Sequence, residues 1–278
     1  MKRLLCASFL VAVAGTAYAD DCAFQAKRDL DLPAAGIEQL NLRTQAGDLR
    51  IVGVAGLARV ELRGKACAAS ADMLEALQLQ HTAAAGRLDV NTTAPDEKSF
   101  SLFGSNYAYI DLEVRMPQAL ALDLADSSGD IEIADAGTID LTDSSGEIRI
   151  RDPRGDVRVR DTSGDIDIEE AQGGVTIASD SSGDIEIDGA RRDVIIEDDS
   201  SGDIEIDKVG GNVRVGRDSS GDIKIRHIAG SAEVGSDSSG MIYADDIKGD
   251  FRVGSKSGGR SSIEYADIGG KVTVPDHD

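Results

Sequence analysis

Seven near-identical motifs between Asp126 and about Ser255 constrain this chain more than any other feature. The clearest copy is DSSGDIEIDKVGGNVRVGR, Asp199 to Arg217. The glycine of each Ser-Gly pair falls at Gly129, Gly146, Gly164, Gly183, Gly202, Gly221 and Gly240, in steps of 17, 18, 19, 19, 19 and 19 residues. A fixed period of this size is the mark of a stacked repeat.

Within one copy, Ile204 and Ile206 alternate with Asp203, Glu205 and Asp207, and Val213 and Val215 alternate with Asn212, Arg214 and Gly216. Each segment reads as a short strand that buries one face. One bend, Asp207 to Gly211, carries an apolar residue at its third position in successive copies (Ala190, Val209, Ile228, Ile247). The other, Asp-Ser-Ser-Gly, has the residues a type I turn favours at its first and fourth positions. No segment of the repeat reads as a helix. The fold class is therefore all-β, a β-solenoid of about 19-residue two-strand coils with like strands paired in parallel.

Stacking predicts columns of outward side chains about 4.8 Å apart. The first runs Glu132, Arg149, Asp167, Glu186, Glu205, Lys224, Tyr243, and the second Asp140, Arg158, Thr176, Ile195, Arg214, Glu233, Arg252. Most charged neighbours are opposite in sign, as pairing favours, with Glu186 over Glu205 read as the plain like pair.

Residues 1 to 19 read as a secretory signal peptide: Met1-Lys2-Arg3, an apolar run from Leu4 to Ala14, then Ala17-Tyr18-Ala19 as a small-x-small cleavage site. That run is too short for a membrane anchor, and no later stretch spans a bilayer. An exported chain would be periplasmic or at the cell surface and would keep Cys22 and Cys67 as its only cysteines. In an oxidising compartment these two read as a disulfide. Net charge is -22 for the whole chain, and residues 121 to 278 hold 37 acids against 17 bases. So acidic a repeat repels nucleic acid and attracts cations or basic partners. With no Trp and no basic patch, nucleic-acid binding is excluded.

The chain reads as three regions: the leader 1–19, an irregular β region 20–120 closing the solenoid, and the acidic solenoid 121–278. In the second region Ala46 to Ile51, Arg59 to Arg63, Ala85 to Val90 and Tyr109 to Arg115 read as strands. Ser70 to Gln80 has helical character and reads as an edge cover. Asn91 to Asn106, with Phe100 and Phe103, reads as a surface loop. Pro275 and the charged tail after it would block further strand addition.

A leader, an irregular half ending in an alternating strand plus Met-Pro (LEVRMP), and Ser-Gly-Asp-Ile coils resemble the bacterial "putative adhesin" family of domains of unknown function. The resemblance implies an exported β-solenoid of the envelope and brings no catalytic residues.

Two readings of the acidic turns stand open. Asp161, Asp180, Asp199, Asp218 and Asp237 form one column, and Asp165, Asp184, Asp203 and Asp222 a second. Like charges 4.8 Å apart repel by about 1 to 3.5 kcal/mol per pair. On one reading the first Asp bonds its own turn's N–H groups and the second points into solvent. On the other the columns form a ridge for hard cations, Ca²⁺ above all; no other cofactor is indicated. His81, His227 and His277 lack metal-ligand spacing. The function read is a non-enzymatic envelope scaffold or adhesion-type binding module, its partner an unidentified envelope protein or polysaccharide. The alternative is a carbohydrate-active β-helix enzyme using acid pairs such as Asp180 with Asp184.

Overall fold

The computed structural model describes residues 22–94, 107–257 and 262–275. The expected leader, Phe100 and Phe103, and His277 lie outside the described residues.

The N-terminal region supplies β1 (Phe24–Pro33), β2 (Gln39–Arg43), β3 (Leu49–Val54), β4 (Arg59–Ala68), α1 (Ala71–Ala76), β5 (Leu79–Ala84), β6 (Arg87–Thr92) and β7 (Ala108–Pro117). The repeats then alternate between two sheets. One sheet takes β9 (Ile131–Ala134), β11 (Ile148–Arg151), β13 (Ile166–Ala171), β15 (Ile185–Ala190), β17 (Ile204–Val209), β19 (Ile223–Ile228), β21 (Ile242–Ile247) and β23 (Ile263–Ile268). The other takes β8 (Ala121–Ala125), β10 (Ile139–Thr142), β12 (Val157–Arg160), β14 (Val175–Ser179), β16 (Val194–Asp198), β18 (Val213–Asp218), β20 (Ala232–Asp237), β22 (Phe251–Lys256) and β24 (Val272–Thr273). Among the described residues each sheet has 12 strands: β1-β4-β7-β3-β9 and onward by odd numbers to β23, facing β5-β6-β2-β8 and onward by even numbers to β24.

The chain is thus a β-solenoid in which every repeat strand pairs in parallel with its counterpart one coil away. Ile204 lies opposite Ile185 and Ile223, and Val213 opposite Val194 and Ala232. The inward isoleucines and valines of both sheets form one continuous core from Leu32 to Ile263. The step from 18 to 19 residues is visible as a bulge: Val159 pairs with Ile177 but Arg160 with Ser179, so Ala178 is the inserted residue.

The bend after the first strand is made by a left-handed residue, with φ between 53° and 57° at Glu170, Lys208 and His227. This breaks the alternation once, so that Lys208 faces water and Val209 turns into the core. That is why an apolar residue recurs at the third bend position.

The irregular half joins the same sheets. Strands β2 and β3 form a coil whose corner is Thr44-Gln45-Ala46-Gly47-Asp48, and β6 and β7 form another coil outside it. Since β2 and β3 also pair with β8 and β9, the chain lays down the inner coil, passes outward, and returns to begin the repeats. Beyond them β4 pairs antiparallel with β7, β1 with β4, and β5 with β6. The helix is shorter than the segment read from sequence. Ser70 caps its N-terminus by accepting a hydrogen bond from Met73 N, and Gln80 already belongs to β5. Met73 and Leu77 pack against Ala66, Ala68 and Ile110. Arg28 holds the far end of the helix by donating to the carbonyls of Leu77 (2.6 Å) and Leu74 (2.9 Å). A disulfide joins Cys22 to Cys67 on β4.

Candidate functional site

Every position of the Asp-Ser-Ser-Gly-Asp corner is committed to the coil above or below. The glycine adopts φ between 98° and 134° in all seven copies, a region side chains rarely enter. A Cβ there would stand under 3.0 Å from the carbonyl oxygen of the glycine below, so the corners stack at backbone contact. The glycine N–H of the corner bonds between coils rather than across the turn: Gly202 N donates to Ser220 O at 3.1 Å. The third residue adds a hydroxyl ladder, Ser201 Oγ donating to Ser181 O (3.0 Å) and Ser220 Oγ to Ser200 O (3.2 Å).

The two Asp columns lie on opposite sides of this backbone. The first points inward, and Asp126, Asp143, Asp161, Asp180, Asp199, Asp218 and Asp237 are all buried. Asp218 and Asp237 accept hydrogen bonds from Ser220 N (3.2 Å) and Ser239 N (2.9 Å), as an Asx turn does. At Asp143, Asp161 and Asp180 the same N–H groups lean toward the carboxyl without reaching bonding geometry. At the ends of the file stand the Thr44 hydroxyl beside Asp126 and Lys256 Nζ, 2.9 Å from Asp237. Fully ionised, six neighbouring pairs at about 3.5 kcal/mol each would cost about 20 kcal/mol, more than the roughly 5–15 kcal/mol that holds an ordinary domain together. Burial, with neighbouring file members adding to it, pushes Asp161, Asp180 and Asp218 up to about 6 and Asp199 to about 7.

The second column faces outward but does not simply point into solvent. Asp165, Asp184 and Asp203 each accept the backbone N–H of the next coil's Asp, at 2.9, 2.8 and 2.8 Å, and Asp222 accepts that of Met241 at 2.8 Å. Register extends this row into the irregular half, through Glu147, Asp130, Asp48 and Asp111, where two lysines, Lys65 and Lys27, end it. Eight acids therefore stand in line at one per coil. Among the described residues none of Asp165, Asp184, Asp203 and Asp222 enters an ion pair, whereas the bases elsewhere are largely matched: Arg160 with Asp140 (3.0 Å), Lys208 with Asp188 (2.8 Å), Arg217 with Asp198.

Beside the acidic row runs one of alternating sign: Asp29, Arg63, Glu113, Arg50, Glu132, Arg149, Asp167. Beyond Asp167 the alternation breaks. Asp167 over Glu186 is a second like pair besides Glu186 over Glu205, which the sequence reading passed over. Burial and the neighbouring acids hold Glu186 above the usual carboxylate range. Where β1, β4, β7, β3, β9 and β11 curl together, the two rows floor a cleft of about 1020 Å³ that includes Lys27, Lys65, Arg50 and Arg149.

The corner does not bring the candidate acid pairs together. Asp180 faces the core and Asp184 the solvent, so the pair resembles no two-carboxylate glycosidase site. His227 Nδ1 lies 2.6 Å from Asp207 in the bend, and His81 sits on the edge strand β5. Among the described residues no three His, Cys, Asp or Glu side chains are grouped to hold a metal ion. No helix among them is long and apolar enough to cross a membrane. Sequence reasoning saw both Asp columns but not that the first is interior. No sequence period marks it: counting by twos from Val194 and Ile196 points Asp198 inward, and only a break in the alternation at the corner turns Asp199 into the core instead. Lys256 had no signal beyond replacing an acid at the equivalent position of the next coil.

The family model described as Toastrack DUF4097 matches residues 19–211. A search of curated proteins finds no match. Among solved structures the chain is similar to a "putative adhesin" from Bacteroides fragilis, at 16% identity over 90% of this chain and 97% of that one, with a TM-score of 0.45. It is also similar to a "putative cell adhesion protein" from Clostridium sporogenes (13% identity, 90% and 99% covered, TM-score 0.28) and a "putative adhesin" from Parabacteroides merdae (10%, 90% and 96%, 0.35).

Proposed function

The chain belongs to the Toastrack DUF4097 family, and from its outward row of acids we propose that it is a non-enzymatic, exported envelope scaffold of adhesion type that binds a basic partner. The observation that carries this reading is the line Asp111, Asp48, Asp130, Glu147, Asp165, Asp184, Asp203, Asp222, one carboxylate per coil on a rigid frame, with Glu147 paired to Arg149 and the four acids after it in no ion pair among the described residues. A row fixed by backbone hydrogen bonds loses little entropy on binding, and repeated weak contacts add up along it. The partner is a cationic segment of another envelope protein, and neutral or acidic polysaccharide is the competing class. The leader at residues 1–19 and the disulfide support export. The organisation that goes with it is an N-terminal region, 20–120, closing an acidic binding solenoid, 121–278.

The test is binding of a labelled oligolysine peptide by fluorescence anisotropy. Asp184→Asn with Asp203→Asn removes two charges but keeps an oxygen to accept each N–H, as Asn212 already does for Ser231 N at 2.9 Å on the other corner. Affinity should fall about tenfold, from two contacts of somewhat under 1 kcal/mol each. Asp156→Asn with Asp193→Asn, which accept Gly174 N and Asn212 N on that other corner, should change it less than about twofold. Equal losses from both pairs would reduce the effect to net charge and remove the row as the site.

A further inference from the structure

The inward file of carboxyls is not used by the reading above. Its members are between 1% and 5% exposed, and both oxygens of Asp143, Asp161, Asp180 and Asp199 lack a hydrogen-bond partner. Two polar groups of other kinds aim into the same file. Lys256, its side chain wholly buried, reaches Asp237 at 2.9 Å. At the opposite end, beyond Thr44, the buried Thr92 Oγ1 is also without a partner. Among the described residues the charged and titratable groups that face the file are its own members and Lys256, and the Thr44 hydroxyl and corner N–H groups supply the remaining polarity. One ammonium offsets one of seven carboxylates. The rest need something held between coils.

Two ligands fit two facing acceptors: a hard cation or a proton. A cation such as Ca²⁺ takes six to eight oxygens. The file offers two per coil, and its flanks carry N–H groups whose positive ends face inward. A proton needs one oxygen to carry it and one to accept it. Asp180 is paired in parallel register with Asp199, and the β16–β18 register sets Asp199 beside Asp218, so successive file carboxyls face each other one coil apart with no other partner for their inward oxygens.

We propose that the interior file is a proton-binding site, in which carboxyls of neighbouring coils share protons, so that folding takes up protons and mild acid tightens the solenoid. Burial and like neighbours raise the file carboxyls in the folded state, while the unfolded chain holds them near 3.9. A group raised in this way contributes stability in full below its unfolded value and loses it as pH climbs through about 6 to 7. The usual carboxylate paired with a base does the opposite.

The test is chemical denaturation of the full chain with chelator present, in about 1 M salt, where screening falls to roughly 3 Å and outward charges are silenced. The folding constant should drop about tenfold per titrating carboxyl between pH 5 and pH 7, up to about 10⁵-fold for the five carboxyls raised to about 6 or 7. Asp199→Asn should remove about one of those tenfold steps, and Asp184→Asn on the outer row none. Infrared spectroscopy of the folded protein at pH 6.5 should show a protonated-carboxyl band, weakened in Asp199→Asn. Constant or rising stability from pH 5 to pH 7, or absence of that band, overturns the proposal. So does restoration of neutral-pH stability by added Ca²⁺, which would assign the file to a cation.

Discussion

Replacing Gly202 by alanine isolates one of the tightest of the stacked corners. Gly202 sits at φ 129°, and a Cβ there would lie under 3.0 Å from Gly183 O, where ordinary contact begins at 3.4 Å. Forcing a side chain into that conformation costs about 1–3 kcal/mol. Separating the corners also weakens the bonds Gly183 N to Ser201 O (3.2 Å) and Gly202 N to Ser220 O (3.1 Å), at about 0.5–1.5 kcal/mol each. The sum is about 2–6 kcal/mol. Gly56 is the control, since it has φ 73° with nothing within 4 Å of a built Cβ, so Gly56→Ala carries only the backbone cost of about 1–2 kcal/mol. Urea denaturation of both variants reads the difference as a shift of midpoint at constant slope. Gly202→Ala within about 1 kcal/mol of Gly56→Ala would refute stacking at backbone contact as the reason for glycine.

The inward strand residues should carry stability: Ile204→Ala, fully buried, should cost about 2–5 kcal/mol, and Glu205→Ala on the outer face under about 0.5 kcal/mol, read by denaturant midpoints. Reducing the Cys22–Cys67 bridge, 45 positions apart, should lower stability by about 4 kcal/mol on the loop-entropy account. Mass analysis of exported protein should find neither thiol alkylated before reduction. Lys256→Met strips Asp237 of its ion pair, so its destabilisation should be larger at pH 8 than at pH 5, where Asp237 can hold a proton instead. An equal loss at both values would deny that pairing.

The solenoid was legible because its signals are local and repeated. Period-2 alternation names the inward residues, and the spacing of the glycines sets the register, both of which hold from β9 to β22. The irregular half was harder. Its strands could be read at Leu49 and Leu88, but their order could not, because β6 and β7 pair outside β2 and β3 through contacts that no sequence period encodes. Helix α1 stops at Ala76, short of the Ser70-to-Gln80 reading, since Leu79 is drawn into β5 by pairing with Thr92. At the corner, composition suggested a self-contained turn. The deciding facts were contacts between coils: glycine on glycine, serine hydroxyl on carbonyl, and an inward Asp against the Asp below. A residue type favoured by a turn in isolation can equally be favoured by stacking, and Asp199 and Gly202 are chosen by stacking.

Binding by a repeated row is tested most directly by changing the number of coils. Deleting Asp199 to Arg217 removes one period and rejoins Asp198 to Asp218, bringing Asp180 over Asp218 and Glu186 over Lys224 in the register every coil shares. The product should be a folded protein about 4.8 Å shorter. Deleting Asp180 to Asp198 instead should give the same. Oligolysine affinity should fall by a similar step for either deletion and by a further step when both are made. Affinity abolished by one deletion and untouched by the other, or unchanged when both coils are gone, would contradict a row of equivalent contacts.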